Sequence, residues 1–152
     1  MAKNIAEIQA LQAVVTGLSA QSFSHRVHGL VFGAQGLTKL ADKYAAHADE
    51  EMTWVEKFVN RILDLGGEVK LEGTPAATVY TDIVAYLEAE KQVSIDGIAQ
   101  VTKLMPVFAE DFVAYEDMKA YLIDEDGDLQ ETCKELDVIK LIGLKNWYAT
   151  QL

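Results

Sequence analysis

The stretch AHADEEMTWVEKFVNRILDLGGEV, residues 46–69, decides how this chain folds. Together with Leu40 and Tyr44 upstream, it sets Leu40, Tyr44, His47, Glu51, Trp54, Phe58 and Leu65 on one row. The steps are three and four residues, with Arg61 filling the gap between Phe58 and Leu65. Such spacing places side chains on one face of a helix. The face is expected to be buried, and it mixes large apolar and aromatic groups with a histidine and a carboxylate. A buried carboxylate must be paired, protonated or metal-bound, because a bare charge is too costly to desolvate. The question is therefore what His47 and Glu51 do inside a packed interior.

The rest of the chain bounds the answer. Its 152 residues suffice for one domain with a real core, taken here as 1–152. Half the residues are hydrophobic, and proline occurs only at Pro75 and Pro106, so long uninterrupted helices and an all-α fold are expected. A net charge of −11 argues against nucleic acid or an anionic membrane as partner. The lone Cys133 excludes an internal disulfide framework and suits a reducing compartment. The segment MAKNIAEIQALQ has no apolar signal core, and no apolar run approaches the roughly 20 residues of a membrane span. The expected location is cytoplasmic.

In order, residues 4–33 are predicted as the first helix, with Asn4 as its cap. Its inward row is Leu11, Val15, Leu18, Ser22, His25, Gly29 and Phe32. Gly33-Ala34-Gln35-Gly36 is a tight link to a second helix from about Leu37 to Leu65, stopped by Gly66-Gly67. So short a link makes the two helices antiparallel neighbours. Residues 67–79 carry no clear period and are long enough to run along the outside. A third helix starts near Thr81-Asp82, carries Ile83, Leu87, Glu90, Ser94, Gly97, Val101 and Leu104 inward, and ends or kinks at Pro106. A fourth runs from about Asp111 to Leu141, with Leu122, Glu125, Asp128 or Leu129, Thr132, Leu136 and Ile139 inward. Gly143 breaks it, and LKNWYATQL forms a short fifth helix.

Four long helices with one long crossover between the second and third make a ferritin-like bundle, in which buried carboxylates and histidines from facing helices build a di-iron site. All four rows here are apolar at their ends and polar in the middle. The chain resembles the bacterioferritin branch of the ferritin family over nearly its whole length. The resemblance is carried by GLTKLADKY (36–44), EEM (50–52) followed by RILDLGG (61–67), IDGIAQ (95–100), EDGDLQE (125–131) and LDVIKLIGLKNWYATQL (136–152). It implies a cytoplasmic subunit for iron storage or handling in a homo-oligomer, a 24-subunit cage built from two-fold dimers. The final segment looks like the short fifth helix that lines that cage's four-fold channels.

The metal site departs from the family. The resemblance places di-iron ligands at six positions: a Glu on the first helix, Glu-x-x-His on the second, a Glu on the third and Glu-x-x-His on the fourth. Here those positions read Leu18, Glu51 with Trp54, Ser94, and Glu125 with Asp128. Glu51, Glu125 and Asp128 remain as candidate ligands without an imidazole beside them, so ferroxidase activity is expected to be weak or absent. Mixing with a catalytically complete subunit would compensate.

Two readings of the remaining polar residues stay open. In an antiparallel pair, facing positions step in opposite directions. Moving seven residues from Trp54 to His47 therefore matches moving seven from Leu18 to His25, and the two histidines should meet. Glu51 lies one turn from His47, and Glu90 should reach the same level. His25, His47, Glu51 and Glu90 would then form a relocated site suited to iron, zinc or manganese, a basis for an oxidase. Alternatively, they form a metal-free network in which a histidine pair neutralises Glu51 and Glu90, in a protein that keeps only the shell. Met52 points away from the bundle centre. It occupies the position of the methionine that, in bacterioferritins, binds haem across the two-fold interface, although Arg26 and Asp49 give it charged neighbours.

Overall fold

The computed structural model describes residues 2–152, with side chains from Asn4 onward. Five helices follow one another: α1 (Ala2–Ala34), α2 (Thr38–Asp64), α3 (Ile83–Leu104), α4 (Phe112–Ile142) and α5 (Leu144–Thr150). A 3₁₀ turn, Met105–Phe108, separates α3 from α4, with Pro106 at its start. Proline ends the α-helix there because it has no N–H to give to the carbonyl four residues back.

Helices α1 and α2 are antiparallel and close. Gly29 makes this possible: a Cβ there would lie 3.2 Å from the Ala41 carbonyl oxygen. Two turns away, the Ser22 hydroxyl donates to the Ala48 carbonyl at 2.7 Å. The turn out of α2 uses Gly66 at φ +75°, and the Gly67 N–H returns to the Ile62 carbonyl at 2.9 Å.

The crossover between α2 and α3 is clamped to α1 by side-chain amides and a histidine. Gln12 donates to the Lys70 carbonyl at 3.0 Å and accepts from the Lys70 N–H at 2.9 Å. Further on, the Tyr80 N–H donates to His28 Nε2 at 3.0 Å, and Gln35 donates to the Thr81 carbonyl at 2.8 Å. These bonds satisfy backbone groups that no helix or strand can serve.

The interior is two apolar clusters with a polar layer between them. One is built around Leu11, Leu18, Phe58, Ile62, Phe108 and Met118. The other is built around Phe32, Leu40, Tyr44, Ile83, Tyr86 and Trp147. Trp147 brings α5 onto the second cluster, and the Lys39 N–H donates to the Gln151 carbonyl at 3.0 Å, so α5 covers the start of α2.

Three sequence expectations change. Asn4 is not a cap, because α1 already runs from Ala2; its amide reaches the Leu65 carbonyl at 3.5 Å instead. The buried row of α2 is Leu40, Tyr44, Ala48, Glu51, Val55, Phe58 and Ile62. Leu65 lies just beyond the helix, and His47, Trp54 and Arg61 form a flanking row seven residues apart that faces α4. On α4, Met118 and Tyr121 fill the core, while Leu122 is only half-buried against it.

Arg61 and Asp111 anchor the α2–α4 contact. The guanidinium donates to Asp111 through Nε at 3.0 Å and through a terminal nitrogen at 2.6 Å. Asp111 also caps α4 by accepting from the Ala114 N–H at 3.1 Å. Burial would raise its carboxyl, but Arg61 and this cap bond hold it below the usual range. Asp111→Ala loses both roles and should cost about 3 kcal/mol. Asp111→Asn keeps an acceptor for the cap and should cost less. Thermal melts should order the proteins parent, Asn, Ala.

Candidate functional site

The polar layer centres on His25, which is 4% exposed. Its Nε2 lies 2.5 Å from Glu90 Oε2, and its Nδ1 lies 2.7 Å from Glu51 Oε1. The first contact is a short hydrogen bond. The second is an ion pair in which the N–H is poorly aligned with the oxygen. One imidazole therefore stands between two buried carboxylates carried by α2 and α3. Tyr44 stacks on it with centroids 5.6 Å apart and the planes 17° from parallel.

The electrostatics follow from this arrangement. Burial alone would lower the His25 pKa, but Glu51 and Glu90 outweigh it and raise it to about 10. The ring is thus an imidazolium with both nitrogens protonated. The carboxylates differ because their second oxygens differ. Glu90 Oε1 accepts from the Gln21 amide at 3.1 Å, and despite burial these bonds hold Glu90 below the usual range. Glu51 Oε2 is buried without a partner, and burial raises Glu51 in spite of His25.

His25 and His47 meet edge to face with centroids 5.7 Å apart. His47, however, does not share the carboxylates of His25. Its ring turns toward α4, where a ring nitrogen groups with oxygens of Asp128 and Glu131, all within 4.8 Å of one another. Burial, then the positive charges of His25 and Lys43, lower its pKa, so His47 is neutral. Asp124, Glu125 and Asp128 form a second such group on α4. Burial and neighbouring carboxylates raise Glu125 to about 8 and Asp128 to about 7. A cavity of about 350 Å³ connects His25, His47, Glu51, Glu90, Glu125 and Asp128.

The positions where the resemblance places di-iron ligands do not offer that donor set here. Leu18 is 4% exposed inside the apolar cluster. Trp54 stacks on Phe58 at 6.1 Å and meets Tyr121 edge to face at 5.9 Å. Ser94 lines the cavity but offers only a hydroxyl. With its lone pairs committed to N–H bonds, His25 is a counter-ion in this arrangement rather than a nitrogen donor.

A haem does not fit the surface around Met52 either. Met52 is 40% exposed and borders a groove of about 340 Å³. The groove is also lined by Ser19, Ser22, Arg26, Asp49, Thr53 and Glu56, with Phe23 as its one aromatic wall. An Arg26–Asp49 ion pair crosses it. A porphyrin face needs apolar walls, and these are charged and hydroxylated.

His28 is the functional-looking residue that sequence reasoning missed. Its Nδ1 donates to the Ser24 carbonyl at 2.8 Å while Nε2 accepts from Tyr80, which fixes the tautomer. The ring stacks on Tyr86 at 4.1 Å. It serves the crossover. Its one sequence signal was its position, a single turn after His25.

Removing the imidazolium should expose the strain it relieves. His25→Ala leaves Glu51 and Glu90 buried without their cation and should destabilise the fold by about 3–5 kcal/mol. The loss should shrink at pH 5, where the stranded carboxylates take up protons. In the parent, the His25 contribution is fully present below its unfolded value near 6.5 and is lost as pH rises through about 10. Glu125 and Asp128 also bind protons more tightly when folded, so they act in the same direction up to about 8. The melting temperature should fall steadily from pH 6.5 to pH 10.

Comparison with known proteins agrees with this architecture. The family model of the ferritin-like domain matches residues 8–142. The chain is 31% identical to the bacterial ferritin of Neisseria meningitidis serogroup A and to that of Neisseria gonorrhoeae, over the full length of each pair. It is 26% identical to the bacterial ferritin of Pseudomonas aeruginosa, over 95% of this chain and 96% of that one. The chain belongs to the ferritin family.

Proposed function

We propose that this chain is a shell-forming subunit of an iron-storing cage, and that its own centre does not oxidise iron. One observation carries the reading: Glu51, a carboxylate kept where the resemblance places a di-iron ligand, is held together with Glu90 as a counter-ion of His25. Leu18, Trp54 and Ser94 remove three of the six donors the family's site requires, and Asp128 replaces a fourth. Iron is cargo for such a subunit. Oxidation would come from a catalytically complete subunit in the same shell or from slow chemistry in solution.

Several features support the assembly side of this reading. α1 and α2 expose the apolar side chains Phe23, Leu30, Met52 and Leu63, which a second copy would cover. The buried Trp147 fixes α5 against the bundle, ready to meet symmetry mates. No helix among the described residues is long and apolar enough to cross a membrane. The free Cys133 suits a reducing cytoplasm, which we take as the location.

Fe(II) oxidation by the protein alone, followed by absorbance under air, should barely exceed the uncatalysed rate. Mixing it during assembly with a catalytically complete bacterial ferritin should give shells whose rate scales with the complete subunit. Fast oxidation of two irons per chain by the protein alone would contradict the proposal.

A further inference from the structure

The polar layer holds a second arrangement that neither the central triad nor the family's metal positions explain. His47 projects from the flanking row of α2, and Asp128 and Glu131 project from successive turns of α4. Their donor atoms lie within 4.8 Å of one another, the separation of ligands around a single ion. His47 makes ring contacts with His25 and Tyr44 but no hydrogen bond among the described residues, so both ring nitrogens are uncommitted. Of the three, only Asp128 stands at a position where the resemblance places a di-iron ligand.

The surroundings are short of positive charge. Five carboxylates line the cavity, Glu51, Glu90, Asp96, Glu125 and Asp128, against the cations His25 and Lys43. His25 is consumed by Glu51 and Glu90. Lys43 is paired with Glu135 at 3.2 Å and Glu131 at 3.6 Å. Glu51 Oε2 remains fully buried in the same cavity with no partner, on a side chain only 6% exposed. An acceptor left in that state is costly, and a nearby cation relieves it.

We propose that His47, Asp128 and Glu131 bind one divalent transition-metal ion, bridging α2 and α4 at the edge of the central cavity. One imidazole and two carboxylates suit Fe(II), Mn(II) or Zn(II), with water completing the coordination. The donor set selects against Mg(II), which prefers all-oxygen ligands. A single ion has no second metal beside it, so this site holds Fe(II) without the paired centre that oxidises it. Lys43 competes with the ion for Glu131.

Pulsed EPR on the intact protein loaded with about one Mn(II) per chain tests the assignment. The parent should show electron–nuclear coupling to one imidazole nitrogen, and His47→Ala should lose it. Glu131 is half-exposed, so Glu131→Gln should leave the fold intact and weaken Mn(II) binding about tenfold or more. It provides the readout if His47→Ala does not fold. Lys43→Met should strengthen binding, because it removes the competing ammonium; a merely structural role for these residues predicts no such gain. Absence of nitrogen coupling in the parent would overturn the proposal. So would unchanged affinity in Glu131→Gln, or coupling that survives in His47→Ala and disappears in His25→Gln.

Discussion

Two buried carboxylates facing each other across a helix bundle require a cation between them, and in this protein the cation is a side chain. His25 meets Glu90 at 2.5 Å and Glu51 at 2.7 Å. The groups that touch His25 and its two counter-ions are arranged around that contact. Tyr44 stacks on the ring and excludes water from one side, Gln21 holds the far oxygen of Glu90, and the apolar clusters close the two ends. A buried ion triad gives little net stability, because desolvation consumes most of its Coulomb energy. Its effect is on geometry: each helix carrying a member is held at one rotation, and any rotation leaves a charge unpaired.

The same constraint accounts for the proposed departure from the family's metal chemistry within an unchanged fold. A di-iron site supplies positive charge at the centre of the bundle. If Leu18, Trp54 and Ser94 stand in place of ligands, as we propose, that charge must come from elsewhere or the remaining carboxylates must go. The chain does some of each. The space beside Leu18 is apolar, Trp54 packs on Phe58 and Tyr121, and His25 supplies charge about two turns along α1. On the α4 side the correction is incomplete, which leaves Glu125 and Asp128 crowded by other acids and holding protons into the neutral range.

Much of this was legible in the sequence. Glycine pairs, one proline and the apolar spacing located the helices to within a residue or two. The antiparallel register brought His25 to His47 without coordinates. What periodicity could not resolve was rotation within a face. A step of seven residues falls about 20° short of two full turns, so His47, Trp54 and Arg61 could be read as the seam when they form its flank. That small rotation decides which histidine meets the carboxylates, and it turned an expected shared pair into one histidine with two counter-ions. The clamps by Gln12 and His28 were not legible because their partners are backbone groups of an irregular crossover, which leave no side-chain pattern.

The central claim is that His25 takes the place of a metal ion. Anomalous diffraction from crystals grown with excess Fe(II) without air, or with Zn(II), tests it most directly. The account predicts no anomalous peak within bonding distance of His25, with the ring still lying between Glu51 and Glu90. A metal peak bonded to a His25 nitrogen, with Glu51 and Glu90 as its further ligands, would contradict it.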